Sequence, residues 1–467
     1  MRNKPFFRSA LTLTLFTILA LFNHGCETET SKPETTQAAA PKEATKLKPF
    51  VLLAEPAILH PLEHPASALP HWQKASSQKP VLLLLSNDPF LISTPDEKLA
   101  EITQALQNNP ARLENFTTAD PLMFPNMSVD YALRQGWFSQ LAWALPLRDP
   151  LATLSKDKLT EQLLQSQLID QGEADSMSVS ENWAVANIRN TEFVAAALKN
   201  LPKLDRPVVV HIDLSYFQPL YKNEISTPLF PLIFQTLEEL RQRQLNCLAV
   251  TFSYGNLENR IALDVRFIGE VIKQYVEAPA TIDQPVPANW QRQSEALYLS
   301  NFFQKEKIRE LFEAQEQDAP DSAWVKFNLY RSAAEHKEGT KALDYMAEAV
   351  KLDPVFAMEY FNLTQMAYEK GRPDEAMRML RLAGEALPDD PQIKLQIAQM
   401  AVELKEAHAA AQVVKELQEL PWSNIYYPQM PEYLESFTDF LEQGGGKGEN
   451  TPSNNQKDDP RRQRILK

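Results

Sequence analysis

Several residue types that carry chemistry in proteins are scarce in this 467-residue chain. It holds only two cysteines, so we expect no disulfide framework. Glycine occurs 12 times, and neither the P-loop pattern nor GxGxxG is present, which argues against a phosphate-cradling loop. The net charge is -14, and no block of basic residues interleaved with aromatics occurs. We therefore expect no nucleic-acid partner.

The first 25 residues have the features of an export signal. Arg2, Lys4 and Arg8 precede an uncharged apolar run that is too short to be a comfortable membrane span. Gly25 then precedes Cys26, an arrangement that resembles a bacterial lipoprotein signal, in which the cysteine becomes the lipidated first residue of the mature chain. The alternative is an ordinary cleaved signal peptide followed by a chance cysteine.

The lipoprotein resemblance also implies a location. Residue 27 is Glu, whereas an aspartate there retains lipoproteins at the inner membrane of enteric bacteria. The resemblance therefore implies an outer membrane-anchored lipoprotein of the bacterial cell envelope, facing the periplasm or the cell surface. Residues 26–48 are polar and predict a disordered tether. Because the body of the chain is acidic, membrane binding would depend on the acyl anchor.

Apolar, strand-like runs alternate with amphipathic helical segments between residues 49 and 278. Most of these runs are continuously apolar, as expected for parallel strands that are covered on both faces. The pattern predicts an α/β domain with an open, mostly parallel sheet and helices on both faces. The five predicted strands are residues 49–54, 80–86, 138–147, 207–214 and 247–254. Cys247, in the last of them, is predicted to be a buried small side chain.

Polar side chains follow the apolar part of the fourth predicted strand. His211, Asp213 and Ser215 stand at alternate positions and therefore share one face of the strand. Asp88 comes directly after the second predicted strand. Because ligands of open α/β sheets bind at the carboxyl ends of the strands, we expect these residues to lie near a pocket. They indicate either a metal site or polar side chains that satisfy one another.

The order of features in residues 60–275 resembles the arginase and deacetylase superfamily, in particular bacterial arginase-like proteins. The segments that carry the resemblance are HPASALPHW, YALRQGWFSQLAWALP, HIDLSYFQP and AVTFSYGNLENRIALDVRFIGEV. The resemblance implies an arginase-like α/β domain over residues 49–278, with His64 in a loop near the pocket. Metal-binding members place Asp-Ala-His-x-Asp after the earlier strand and Asp-x-Asp after the later one, which suits a pair of divalent ions.

The ligand positions of this chain depart from that family pattern. Residues 86–90 read SNDPF where Asp-Ala-His-x-Asp would stand, so Asp88 alone keeps ligand character. At the later strand Asp213 matches one carboxylate, and His211 or Ser215 stands in place of the other. We therefore expect no cofactor and a non-catalytic, pseudoenzyme domain. The alternative is a hydrolase of amide or guanidino substrates with one divalent metal, such as zinc or manganese, held by Asp88, His211 and Asp213.

The C-terminal part of the chain is predicted to be helical and repetitive. Ala342, Ala376 and Ala410 recur every 34 residues, where close helix packing needs a small residue. The repeating segments resemble tetratricopeptide repeats, which implies an all-α solenoid over residues 291–442. Such a solenoid acts either as a scaffold or as a groove for a protein or peptide partner.

The sequence thus predicts a chain of several distinct segments that serve one binding or scaffolding role. A proline-rich linker at residues 279–290 joins the α/β domain to the repeats, and residues 443–467 form a disordered tail. Together these features favour an exported, lipid-anchored envelope protein that binds or scaffolds other proteins and does not act as an enzyme.

Overall fold

A computed structural model describes most of the chain. The described residues are 46–149, 153–180, 182–255 and 263–444. The predicted signal peptide, Cys26 and nearly all of the predicted tether and tail lie outside these residues. The described residues form two compact units, one that ends at Phe356 and one that begins at Ala357. Among the helices of the described residues, none combines the length and apolar content needed to cross a bilayer.

The first unit is built on one mixed sheet. Its strands in the described residues are β1 (Phe50–Val51), β2 (Leu59–Leu62), β3 (Val81–Leu85), β4 (Gln140–Leu145), β5 (Ser178–Val179), β6 (Trp183–Ile188), β7 (Thr191–Ala197), β8 (Val208–Asp213) and β9 (Asn246–Ser253). Their order is β1-β9-β8-β3-β4-β7-β6-β5, and β2 also pairs with β9. The central pairs from β9 to β7 are parallel, whereas β1 with β9, β5 with β6 and β6 with β7 are antiparallel. The prediction of a mostly parallel sheet is therefore wrong.

A hairpin that the sequence pattern does not predict accounts for much of this difference. The connection between β6 and β7 consists of Arg189 and Asn190, which have positive φ angles of 50° and 58°. Two-residue turns of this kind match the twist of the flanking strands and join antiparallel neighbours. Arg189 holds its position through ion pairs, because its guanidinium bonds Asp130 at 2.7 Å and also Glu173.

Eleven described helices accompany the sheet in the first unit. They are α1 (Leu69–Ala75), α2 (Asp96–Asn108), α3 (Ser128–Arg134), α4 (Lys156–Gln165), α5 (Gln171–Asp175), α6 (Leu229–Gln242), α7 (Phe267–Glu277), α8 (Ala288–Ser300), α9 (Lys305–Asp318), α10 (Ala323–Glu335) and α11 (Gly339–Leu352). The described part of the second unit contains α12 (Met358–Glu369), α13 (Pro373–Ala386), α14 (Pro391–Glu403), α15 (Ala407–Gln418) and α16 (Met430–Glu442). An α/β part followed by a run of helices is therefore confirmed.

Aromatic packing holds α8 and α10, which follow the predicted linker, in the same unit as the sheet. Trp290 of α8 and Trp324 of α10 lie against Phe267 of α7, with ring centroids 6.2 and 5.8 Å away. Phe230 of α6 packs on Phe267 at 5.6 Å. The apolar side of α7 is therefore covered by helices that follow the predicted linker.

The helix pairs repeat with the spacing that the sequence predicts. The second helices α11, α13 and α15 begin 34 residues apart, at Gly339, Pro373 and Ala407. Before each of them the chain turns through a left-handed residue, with φ of 63° at Lys337, 71° at Gly371 and 62° at Lys405. The bond that closes each turn runs from Glu338 N to Ala333 O, from Arg372 N to Ala367 O and from Glu406 N to Ala401 O. Ala342, Ala376 and Ala410 are all buried, as close helix packing requires.

Candidate functional site

Four polar side chains lie together on one face of the sheet, on strands β8 and β9. The two strands run parallel, with His211 opposite Thr251 and Asp213 opposite Ser253. Because side chains at alternate strand positions point to the same face, these two rows lie one above the other. All four side chains are fully buried. We refer to His211, Asp213, Thr251 and Ser253 as the polar ladder.

Hydrogen bonds join the members of the polar ladder into a chain. His211 Nδ1 lies 2.8 Å from Thr251 Oγ1, and His211 Nε2 lies 3.0 Å from Ser253 Oγ. Ser253 Oγ in turn donates to Asp213 Oδ2. The other carboxylate oxygen of Asp213 accepts a bond of 3.0 Å from Ser215 N. The imidazole and the carboxylate, which are costly to bury, are therefore both provided with partners.

The hydroxyl groups give this chain two consistent proton arrangements. If Asp213 is ionised, Thr251 donates to His211, His211 donates to Ser253, and Ser253 donates to the carboxylate. If Asp213 is protonated on Oδ2, the three bonds between side chains reverse, Thr251 donates instead to Val210 O at 3.4 Å, and the bond from Ser215 N is unchanged. Burial raises the pKa of Asp213, although its bonds from Ser215 and Ser253 oppose the shift. Burial also lowers the pKa of His211 to about 3, so the imidazole is neutral in both arrangements.

Asp88 and Ser215 belong to the loops that follow β3 and β8. Asp88 is partly buried, and its Oδ1 accepts a bond of 2.7 Å from Phe90 N within its own loop. Ser215 Oγ accepts a bond of 3.2 Å from Asn87 N. Asp88 thus stabilises a turn within its own loop, whereas the Ser215 hydroxyl joins the loop after β8 to the loop that contains Asp88.

His64 lies at a different point of the first unit and has its own partners. Its Nε2 is 3.1 Å from Glu114 O and 3.4 Å from Ser67 Oγ. The ring is buried, its Nδ1 has no hydrogen-bond partner among the described residues, and burial lowers its pKa to about 4. Cys247 is also buried, and burial raises the pKa of its thiol to about 12, which does not suit a nucleophile.

The predicted ligands do not fit a resident metal ion. In the described part of the chain, no group of three or more histidine, cysteine, aspartate and glutamate side chains is placed to hold a metal. Asp88, His211 and Asp213 do not form such a group. His211 and Asp213 direct their polar atoms to Thr251, Ser253 and Ser215, as described above.

An accessible cavity of about 450 Å³ lies beyond the carboxyl ends of β8 and β9. Its walls come from the chain after these strands, including Ser215 and Tyr254, and from helices α7 to α10. Of the five pocket residues predicted from the sequence, Ser215 lines this cavity. The main polar residues that sequence reasoning missed are Gln293 on α8 and Asn328 and Ser332 on α10. The spacing of Asn328 and Ser332 puts them on one helix face, which is the one local signal that pointed to them.

No protein-family model matches the sequence, and no curated protein matches it at a significant level. The arginase-like and tetratricopeptide resemblances therefore stay predictions. Evidence about function comes from the geometry of the polar ladder, the cavity and the repeated helix pairs.

Proposed function

We propose that the protein is a non-catalytic binding or scaffolding protein of the bacterial cell envelope. In this proposal Cys26 carries the lipid anchor, the α/β part is an arginase-like domain without a working metal site, and the repeated helices bind a protein or peptide. The observation that carries the proposal is that the polar ladder is closed off from solvent, because its four side chains are 0% exposed.

Hydrolysis would need groups that the polar ladder does not offer. A general base must come within hydrogen-bond reach of the water or hydroxyl that it activates, and a nucleophile must reach the substrate. His211 already has both ring nitrogens in bonds, to Thr251 and Ser253. The hydroxyl of Ser253 is bonded to Asp213. These bonds support a structural role for the residues that stand where the family has its chemistry.

The binding role is supported by the regularity of the helices. Helix pairs with a 34-residue period and buried alanines at Ala342, Ala376 and Ala410 are typical of solenoids, which present extended surfaces to partners. The sequence resemblance to tetratricopeptide repeats makes a protein or peptide the expected partner. The cell-envelope location rests on the sequence alone, through the signal-like segment and Cys26.

Metal analysis and hydrolase assays test the non-catalytic part of this proposal. The purified mature protein is expected to carry far less than one equivalent of manganese or zinc by elemental analysis. It is also expected to leave arginine, agmatine and acetyl-lysine intact when either metal is added. Stoichiometric metal that is lost in both His211→Ala and Asp213→Ala would contradict the proposal and favour the mononuclear hydrolase.

Membrane fractionation tests the proposed anchor. Wild-type protein is expected in the membrane and detergent fractions, and Cys26→Ala is expected to be released or to stay unprocessed. Cys247→Ala is the matched control, because it removes the other cysteine without touching the signal. A wild-type protein that is soluble and cleaved elsewhere would overturn the anchor.

A further inference from the structure

The cavity beyond β8 and β9 has the size and place of a small-molecule site. Its volume of about 450 Å³ lies within the usual range for pockets that bind small ligands. It is roughly three times the volume of a cavity that holds one benzene. It also opens where β8 ends at Asp213 and β9 ends at Ser253, and open α/β sheets bind their ligands at such carboxyl ends.

Most of the cavity wall is apolar and one side of it is held rigidly. The apolar lining includes Phe217, Ile268 and Phe312. Tyr254 also lines it, and the guanidinium of Arg266 stacks 3.8 Å from the centroid of the Tyr254 ring. A Cβ at Gly269 would lie 2.5 Å from Tyr254 Oη, so the tyrosine has little room to move. The site is therefore formed before any ligand arrives.

Neutral polar groups stand at one side of this apolar wall. Gln293 and Asn328 are 1% and 2% exposed, and Asn328 Nδ2 donates to Gln293 Oε1 at 3.1 Å. Ser332, one turn further along α10, is 5% exposed, and its Oγ has no hydrogen-bond partner among the described residues. A buried hydroxyl without a partner is costly. A bound molecule that supplies one hydrogen bond would remove that cost.

The charges around the cavity disfavour an anion. Its charged lining residues in the described chain are Asp264, Arg331 and Glu335. The cation among them, Arg331, already forms an ion pair, because its Nη1 lies 2.7 Å from Asp264 Oδ2. Glu335 is exposed and adds a negative charge. An ionised ligand group would have to be desolvated beside Gln293, Asn328 and Ser332, which carry no compensating charge.

We propose that this cavity binds an uncharged small molecule that has a largely apolar body and one amide, amine or hydroxyl group, with Ser332 Oγ as its hydrogen-bond partner. The site goes beyond the proposed function, whose partner is a protein or peptide. It does not depend on that function, because the polar ladder can be inert or active without changing the cavity lining.

A matched pair of fluorescent probes tests the chemistry of this site. N-phenyl-1-naphthylamine is uncharged and has three aromatic rings and one N–H group, and 8-anilinonaphthalene-1-sulfonate adds a sulfonate to the same rings. The protein is residues 27–467 in detergent-free buffer. We expect the neutral probe to saturate at one site per chain and the sulfonate to bind at least about tenfold more weakly, given the cost of burying an unpaired charge.

Two variants and one control tie this binding to the cavity. Ala296→Phe on α8, a buried lining residue, is expected to abolish saturable binding by filling the space. Ala288→Phe, at an exposed position of the same helix, is the matched control and is expected to bind as wild type. Ser332→Ala is expected to weaken binding about fivefold without lowering the melting temperature, because it removes a hydroxyl that has no partner in the folded chain.

Each outcome of these titrations either supports or overturns the proposed binding site. The proposal is overturned if the neutral probe does not saturate, if both probes bind equally, or if a folded Ala296→Phe variant binds as wild type. If Ala296→Phe does not fold, the Ser332→Ala variant decides the result. An unchanged affinity of Ser332→Ala for the neutral probe would contradict the hydrogen bond assigned to Ser332 Oγ and overturn the proposal.

Discussion

The indole rings of Trp290 and Trp324 stack on each other, with centroids 5.5 Å apart and planes inclined by 18°. Each ring nitrogen also bonds to α7, Trp290 Nε1 to Gln274 Oε1 at 2.7 Å and Trp324 Nε1 to Glu270 Oε2 at 3.0 Å. Stacked aromatics and buried indole N–H bonds both favour a fixed geometry. The stack therefore joins helices α8 and α10 to the α/β part of the first unit.

Truncating one member of this stack should destabilise the first unit strongly. Trp290→Ala is expected to cost about 3–5 kcal/mol, because it leaves a cavity among buried aromatic rings. Urea unfolding followed by circular dichroism measures the change. Trp183→Ala, at a position that is 39% exposed, is the control and should cost much less. Equal costs for the two variants would contradict the structural role of the stack.

The two proton arrangements of the polar ladder predict unequal losses of stability for two conservative changes. Asp213→Asn is expected to cost about 1 kcal/mol or less, because its amide can donate to Ser253 and so selects the reversed arrangement. Ser253→Ala is expected to cost roughly 2–3 kcal/mol, since it leaves His211 Nε2 and Asp213 Oδ2 buried without a partner. Thermal and urea unfolding of both variants provide the comparison. A cost for Asp213→Asn above that for Ser253→Ala would rule out the reversible chain.

Burial of His64 predicts that stability falls at acidic pH. Burial lowers the pKa of its imidazole from an ordinary 6.5 to about 4. Between these values the unfolded chain binds a proton that the folded chain does not, so the contribution is complete above about pH 6.5 and is lost as the pH falls toward 4. The loss from this residue is roughly 3 kcal/mol at pH 4. It is measured from the free energy of unfolding between pH 8 and pH 4.

A matched pair of variants separates this effect from general acid unfolding. His64→Gln is expected to make the dependence of stability on pH shallower over this range without abolishing it, because burial also lowers the pKa of His211, to about 3. His408→Gln, at an exposed position, is expected to keep the wild-type slope. If the slope of His64→Gln also equals that of the wild type, the imidazole of His64 does not contribute to the acid sensitivity.

The left-handed turns between helices predict a gain in stability at a lysine. Lys405 has a φ of 62°, a conformation that costs a side-chain-bearing residue about 1 kcal/mol and glycine almost nothing. Lys405→Gly is therefore expected to stabilise the second unit by about 0.5–1 kcal/mol. Gly371→Ala, at the equivalent turn with φ of 71° and no atom within 4 Å of the new Cβ, should destabilise it by a similar amount.

The control for this pair is Lys405→Ala, which removes the long side chain but keeps a Cβ. It is expected to leave the melting temperature near that of the wild type. A rise for Lys405→Ala equal to the rise for Lys405→Gly would assign the gain to the lost side chain and not to the backbone.

The sequence predicted the centre of the sheet well and its edges poorly. The continuous apolar runs that became β3 and β8 lie within two residues of the predicted strands, because burial on both faces leaves a clear pattern. β6 and β7 were missed, since their turn at Arg189 and Asn190 lacks the glycine that marks most such hairpins. Its left-handed conformation depends on ion pairs with Asp130 and Glu173, which are distant in sequence.

The site was only partly predictable for a similar reason. The alternation of His211 and Asp213 was visible, and Thr251 and Ser253 show the same two-residue spacing. That the two pairs face each other depends on strand register, which local sequence does not specify. The cavity residues come from separate helices and from the ends of two strands, so no single segment could have indicated them.

The ends of the mixed sheet are unusually short. β1 and β5, the terminal strands of the ordered path, contain two residues each. β2, which also pairs with β9, carries Pro61 and therefore lacks one backbone N–H group. Short edges and a proline offer few unpaired groups to a strand from a neighbouring molecule. Each end strand of this path therefore offers a neighbouring molecule fewer unpaired backbone groups than a full-length edge strand would.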